Sequence, residues 1–362
     1  MSEINKNPIL FQYLPELQQN LPWKPLGQFP TPIRKLDGLG YQNLWIKQDN
    51  LSSNVYGGNK IRKLEFALAA ALAQNKNHVV TMGAIGTNHG LATAIFCQKL
   101  GLKCTLLLFK QPVTRDVKEK LLLFQKYHAR MKFKGTKLRA AVALYLTERM
   151  LHPGAYFLYA GGSNPTGTIG FVNAAFELKS QIESGIVPEP AAIFCPAGSN
   201  GTLAGLTVGV RLAGLKSKTI GVRVSASHLG PVQVCTPDSV ARLMRSTYRH
   251  LSARCQSLPA IDLHAPLILN EYFGDGYGRP TEAGRSAYER VKNKANVILD
   301  LTYTAKTFAA VMDYCHIHPR ESEPVLYWHT YNSVDLSTQV NPADVNGLPQ
   351  SLQKIYSAKG EA

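Results

Sequence analysis

A chain of 362 residues with 45% hydrophobic content is long enough to bury about two cores. Its formal net charge of +16 is compatible with a polyanion partner and equally with attraction of small anionic substrates. No apolar run approaches the roughly 18 residues of a membrane span, and the opening MSEINKNPIL has neither the basic start nor the apolar stretch of a secretory signal, so a cytoplasmic protein with no membrane partner is expected.

The six cysteines, at 97, 104, 195, 235, 255 and 315, form no CxxC pair and fall mostly inside apolar segments, as reduced core residues do. Along the chain, strand-like runs alternate with helical ones: NLWIKQD (43–49), a helix over 60–74, HVVTMG (78–83), a helix over 88–100, then KCTLLLF (103–109). KEKLLLFQKYHARMKFKGTKLR, 118–139, alternates charge with aliphatics at helical spacing. It reads as an amphipathic helix with a wet basic face rather than a polyanion-binding stripe, so no nucleic-acid partner is expected. The rhythm resumes with AYFLYA (155–160), a helix over 167–183, AAIFCPAG (191–198), a helix over 201–213, TIGVRVS (219–225) and a late strand PVLYWHT (324–330). This is an α/β architecture with open, mainly parallel sheets flanked by helices, in two domains. GGSNPTGTIG, 161–170, is glycine-rich enough for a hinge or a ligand loop.

In such sheets ligands gather where strands end and helices begin. Four turns carry unusual chemistry. YGGNKIRKLEF, 56–66, joins a double glycine to Lys60 at the mouth of a helix, beside Asn59. CPAGSNGTLAG, 195–205, follows an apolar strand and opens a helix, so amides around Ser199, Asn200, Gly201 and Thr202 can face a phosphate. It has neither the GK[ST] of a Walker loop nor GxGxxG spacing, and RVSASH after the next strand lacks the acid that would hold a ribose. GAIGTNHG, 83–90, crowds Thr87, Asn88 and His89 at a helix start, where they suit a substrate carboxylate, although Thr87 alone reads equally as a helix cap. YWHTYNS ends a strand on Thr330. CHIH, 315–318, is the only metal-like spacing and has no second ligand group near it in sequence, so no metal is expected.

A lysine at a turn, a separate phosphate cradle and a carboxylate-sized anion site together suggest pyridoxal 5'-phosphate, whose aldehyde needs a lysine and whose phosphate needs an anion pocket. From Pro30 to Ser333 the sequence resembles the pyridoxal-phosphate enzymes comprising D-cysteine desulfhydrase and aminocyclopropane-carboxylate deaminase, of the tryptophan-synthase-β-like fold, fold type II. TPIRKL, YGGNKIRKLEF, GAIGTNHG, AGSNGTLAG, GDGYGRP, TYTAKT and YWHTYNS occur in the order that family has them. The resemblance implies that Lys60 carries the cofactor and Asn88 bonds its ring oxygen. It further implies that the 198–202 loop holds the phosphate, that Tyr277 and Tyr303 stand in the active site, and that Thr330 lies near the pyridine nitrogen. It implies a cofactor-binding domain of 1–62 with 165–362, a small domain of 63–164 with the substrate-carboxylate loop, and a homodimer.

The departures bear on substrate. Relatives carry Q-S-N-H where this chain has Gly86-Thr87-Asn88-His89, so a glutamine is missing and a serine gains a methyl. The methyl is expected to crowd the substrate and shift preference, and Gly86 to open space. The deaminase branch has a glutamate where Thr304 stands, which favours the desulfhydrase side: β-elimination on a small amino acid giving oxoacid, ammonia and sulfide. Ring-opening deamination and a non-catalytic binding protein for the cofactor or an amino acid remain the alternatives.

Overall fold

The computed structural model describes residues 7–318 and 323–358. Packing divides them into two compact units. The first joins the described residues up to Phe66 to Ser163–Ser333, and the second joins Ala67–Gly162 to the described residues after Ser333. The sequence reading places its boundaries at 62/63 and 164/165 and keeps the chain's last stretch with the larger domain. Packing instead groups that stretch with the smaller one. There Tyr127 donates to the Gln339 side chain at 2.8 Å, and Lys126 and Gln125 donate to the carbonyls of Gln339 and Asp344, each at 3.1 Å.

The first unit holds a six-stranded sheet in the order Ile33–Lys35, Leu44–Lys47, Val325–Trp328, Ala192–Ala197, Lys218–Arg223, Leu267–Leu269. Only the first pair is antiparallel. Alternation along the strands splits its core in two. Leu326 and Trp328 join Phe171 and Leu203 on one face, while Val325 and Tyr327 join Phe194 and Phe308 on the other. The four inner strands, covered on both faces, read as apolar runs in the sequence, whereas the edge strands Ile33–Lys35 and Leu267–Leu269 do not and were not expected there.

Beneath the start of the helix Lys60–Ala73 lies a buried ionic cluster. Arg62 donates to Asp49 at 2.8 Å and to both Glu177 oxygens at 2.9 Å; Lys47 donates to Glu177 and, at 2.7 Å, to the Thr31 carbonyl. Burial opposes the Glu177 carboxylate, yet Arg62 and Lys47 overcome it and hold the group at about 2. Removing one member of such a set typically costs about 3–5 kcal/mol, because a charge is left buried without its partner.

The second unit has four parallel strands in the order Arg130–Gly135, Lys103–Phe109, His78–Ala84, Tyr156–Phe157. The stretch 118–139 is not one helix. A helix over Arg115–Lys126 ends at His128, whose φ of +55° leaves the helical region, and Arg130–Gly135 forms the edge strand. RMKFKG alternates at period two, which helical spacing over the longer window conceals. Among the described residues no helix is long and apolar enough to cross a membrane, and all six cysteines are free, five of them buried.

Candidate active site

Parallel neighbours Leu44–Lys47, Val325–Trp328 and Ala192–Ala197 end on one edge of the first sheet, and each leads into one of the turns singled out above. Gly58 is the joint between two of them. Its φ is +87°, and a Cβ there would stand 2.6 Å from the Tyr331 carbonyl oxygen, so only glycine lets this backbone pass the strand end. The Asn59 N–H then donates to the Thr330 carbonyl at 3.3 Å. The Asn59 side chain makes two further bonds: its Nδ2 donates to Thr202 Oγ1 at 3.1 Å, and its Oδ1 accepts from Lys60 Nζ at 2.9 Å. One asparagine thus ties together the lysine, the glycine-rich turn and the end of the late strand. Burial pulls the Lys60 ammonium down to about 8, with Asp300 opposing the shift. About a tenth of the amine is therefore neutral and nucleophilic at pH 7, far more than an exposed lysine offers.

At the glycine-rich turn Asn200 adopts φ +69° and caps the helix Gly201–Leu212, while its side-chain amide points away, donating to the Val234 carbonyl at 2.8 Å and to Ser239 Oγ at 2.9 Å. Two residues that the sequence reading did not assign to the phosphate complete the turn, Ser163 from the glycine-rich stretch 161–170 and Lys63 from 56–66. Ser163 Oγ accepts from the Gly201 N–H at 3.1 Å and from Lys63 Nζ at 3.3 Å, and donates to Ser199 Oγ at 2.8 Å. A Cβ on Gly201 would stand 2.5 Å from Ser163 Oγ and 2.8 Å from Lys63 Nζ. Burial, and then the Lys60 charge, push the Lys63 ammonium well below its ordinary value, a cost that an anion bound here would relieve. Amides at a helix start, hydroxyls at 163, 199 and 202, and an ammonium, with no acid among these contacts, form a donor set that fits a phosphate. Lys63 lies one turn from Lys60 on the same helix face, and that i, i+3 spacing was the available signal.

Tyr277 and Tyr303 meet through a hydrogen bond between their phenol oxygens, with ring centroids 5.9 Å apart. Burial and then the Tyr277 phenol raise Tyr303 well above its ordinary range, so Tyr303 stays protonated. Two residues outside the sequence reading hold it. Asp300 accepts from the N–H groups of Thr302 and Tyr303 and, at 2.7 Å, from Thr304 Oγ1, which fixes the start of the helix Thr304–Ile317. Lys306 Nζ donates to the Phe273 carbonyl at 2.6 Å and so anchors the loop that carries Tyr277. A Cβ on Gly198 would stand 4.0 Å from Tyr303, which brings this pair to the glycine-rich turn.

Thr87, Asn88 and His89 sit together in the second unit, at the carboxyl end of His78–Ala84. Thr87 is the cap of the helix Asn88–Lys99, its Oγ1 accepting from the Gly90 N–H at 3.1 Å. Its methyl packs over two glycines: a Cβ on Gly90 would stand 2.4 Å from Thr87 Cγ2 and one on Gly83 2.6 Å. His89 is buried, with Nε2 in a 2.9 Å hydrogen bond to Thr81 Oγ1, which ties the ring to the strand. Asn88 is the first helical residue and is partly exposed.

A family profile described as pyridoxal-phosphate dependent enzyme matches residues 25–330. The chain is similar to a D-cysteine desulfhydrase of Serratia proteamaculans, 32% identical over 329 residues that cover 84% of this chain and 94% of the relative. A D-cysteine desulfhydrase of Klebsiella pneumoniae is 32% identical over 314 residues, covering 83% and 91%. A crystal structure described as an ACC deaminase homologue matches with a TM-score of 0.76 at 26% identity, covering 91% of this chain and 96% of the other.

Proposed function

The chain belongs to the pyridoxal-phosphate dependent enzymes, and from that premise we propose that it acts on a small β-substituted amino acid as a D-cysteine desulfhydrase does, releasing oxoacid, ammonia and the substituent. The observation that carries this reading is Lys60: an amine lowered to about 8, held by Asn59, whose amide also holds Thr202 at the phosphate cradle.

When bound, the cofactor supplies an aldehyde that captures amines and a ring that draws electrons from the substrate's α-carbon. The chain's residues do the rest. Lys60 and the cradle of Gly198, Ser199, Asn200, Gly201 and Thr202, extended by Lys63 and Ser163, anchor the cofactor's two ends. For Asn200 that role falls to its main chain, because its amide is bound elsewhere. Asn88 and Thr330 are assigned the ring oxygen and the ring nitrogen. Thr87, Asn88 and His89 belong to the carboxylate loop, Thr87 and His89 chiefly by shaping it. Lys60 takes the α-proton, the bond from the β-carbon to sulfur breaks with its electron pair on sulfur, and the Tyr277–Tyr303 pair supplies sulfur with a proton. Water then hydrolyses the enamine to oxoacid and ammonia. Ring opening is disfavoured because the Thr304 hydroxyl, at the position of the deaminase glutamate, is directed to Asp300. We further infer a cytoplasmic homodimer, checked by a solution mass of twice the chain.

Purified protein should show a visible absorption band that borohydride abolishes, and a screen of D- and L-β-substituted amino acids should yield oxoacid. Lys60→Ala should lose both the band and turnover. A borohydride-reducible, lysine-linked cofactor in that variant would reject the assignment.

A further inference from the structure

At the carboxyl edge of the second sheet, parallel neighbours end in register at Ala84 and Phe109, and the Ile85 N–H donates to the Phe109 carbonyl at 2.9 Å. Two residues beyond each end, Gly86 and Gln111 face one another. Gln111 Oε1 accepts from the Gly86 N–H at 3.3 Å. Gln111 Nε2 lies 2.9 Å from the point where a Cβ on Gly86 would stand, and Val117 Cγ2 closes the site at 2.7 Å. A carboxamide from the adjacent strand end therefore occupies the room of residue 86's own side chain. The bond to Gly86 orients it, because an N–H must meet the oxygen, and the NH2 is left as the donor. That donor makes no hydrogen bond to another described residue. Its neighbours on the loop are engaged, Thr87 Oγ1 by Gly90 and His89 Nε2 by Thr81.

We propose that Gln111 determines substrate specificity: its Nε2 donates to the carboxylate of the amino-acid substrate and supplies, from a neighbouring strand, the amide that position 86 lacks. The inference rests on reading 83–90 as the carboxylate loop. The room that Gly86 was expected to open is filled by Gln111 and Val117. Gly86→Gln alone must displace both Gln111 and Val117, so regaining the side chain at 86 requires Gln111→Ala beside it.

The test titrates holoenzyme with D- and L-alanine, which carry the carboxylate but no leaving group, and follows the cofactor's visible band; steady-state kinetics on D-cysteine and β-chloroalanine run beside it. Gln111→Ala should raise KM and the alanine dissociation constant about tenfold or more, as expected for a lost bond to a charged group, with kcat and cofactor retention unchanged. Gln111→Glu should raise them further, because it sets carboxylate against carboxylate. Gly86→Ala, whose Cβ displaces Nε2, should reproduce the loss in the wild-type background and add little to Gln111→Ala. Unchanged alanine affinity in Gln111→Ala, or fully additive losses in the double variant, would overturn the assignment of Gln111. A wild-type band that responds to no amino acid would reject the enzymatic reading itself, and this inference with it.

Discussion

The two glycine-rich turns differ in how much of their chemistry lies within the turn. At 198–202 the chain supplies amides, hydroxyls and a helix start locally, and outside residues, Asn59, Lys63 and Ser163, add donors to what is already present. At 83–90 the side chains of Thr87 and His89 are bound within the fold. Thr87 caps its helix and packs over glycines, His89 bonds to the strand, and the proposed donor comes from Gln111. A backbone cradle is written in the residues that form it, whereas a side-chain site is written wherever the sheet order brings a side chain in.

The contrast can be broken first at the cradle. Gly201→Leu should weaken cofactor retention about 100-fold or more, since displacing Ser163 and Lys63 forfeits two or more bonds to a dianion, each typically worth about 1.5–3 kcal/mol. Equilibrium dialysis reads it, and undiminished retention would remove the turn from the phosphate site. A smaller effect sharpens the role of Lys60. Because burial lowers its ammonium to about 8, the neutral amine becomes dominant above that pH, so the rate at which apoprotein gains the visible band should rise about tenfold from pH 7 to pH 9. A rise delayed until pH 10 and beyond would mean that the amine is not desolvated.

The smallest effect is expected on the other loop. Thr87→Ser keeps the hydroxyl that caps the helix and loses a methyl packed over Gly83 and Gly90, so stability should fall by about 1 kcal/mol in thermal or urea unfolding. Substrate ranking should stay within about twofold of wild type. A reordered ranking of D-cysteine, L-cysteine and β-chloroalanine would return Thr87 to the substrate pocket and undo the contrast with Gln111.

Much of the fold was legible because its signals are local. Lys103–Phe109 occupies the span its apolar run predicts, and the helices starting at Lys60, Asn88 and Gly201 begin where their turns end. A strand covered on both faces is apolar throughout, and a helix start is marked by its own cap and glycines. Lys60, Asn59, the 198–202 turn and the Thr330 strand end were each singled out from neighbouring residues, and tertiary structure joins them through one asparagine. The break at His128, the docking of Gln339 and Asp344 on Arg115–Lys126, the meeting of Lys63 with Ser163, and the carboxamide of Gln111 over Gly86 were decided only by the tertiary structure. Periodicity reports which face of an element is apolar. It carries no information on which strand lies beside which, and that adjacency sets every contact between residues far apart in the chain.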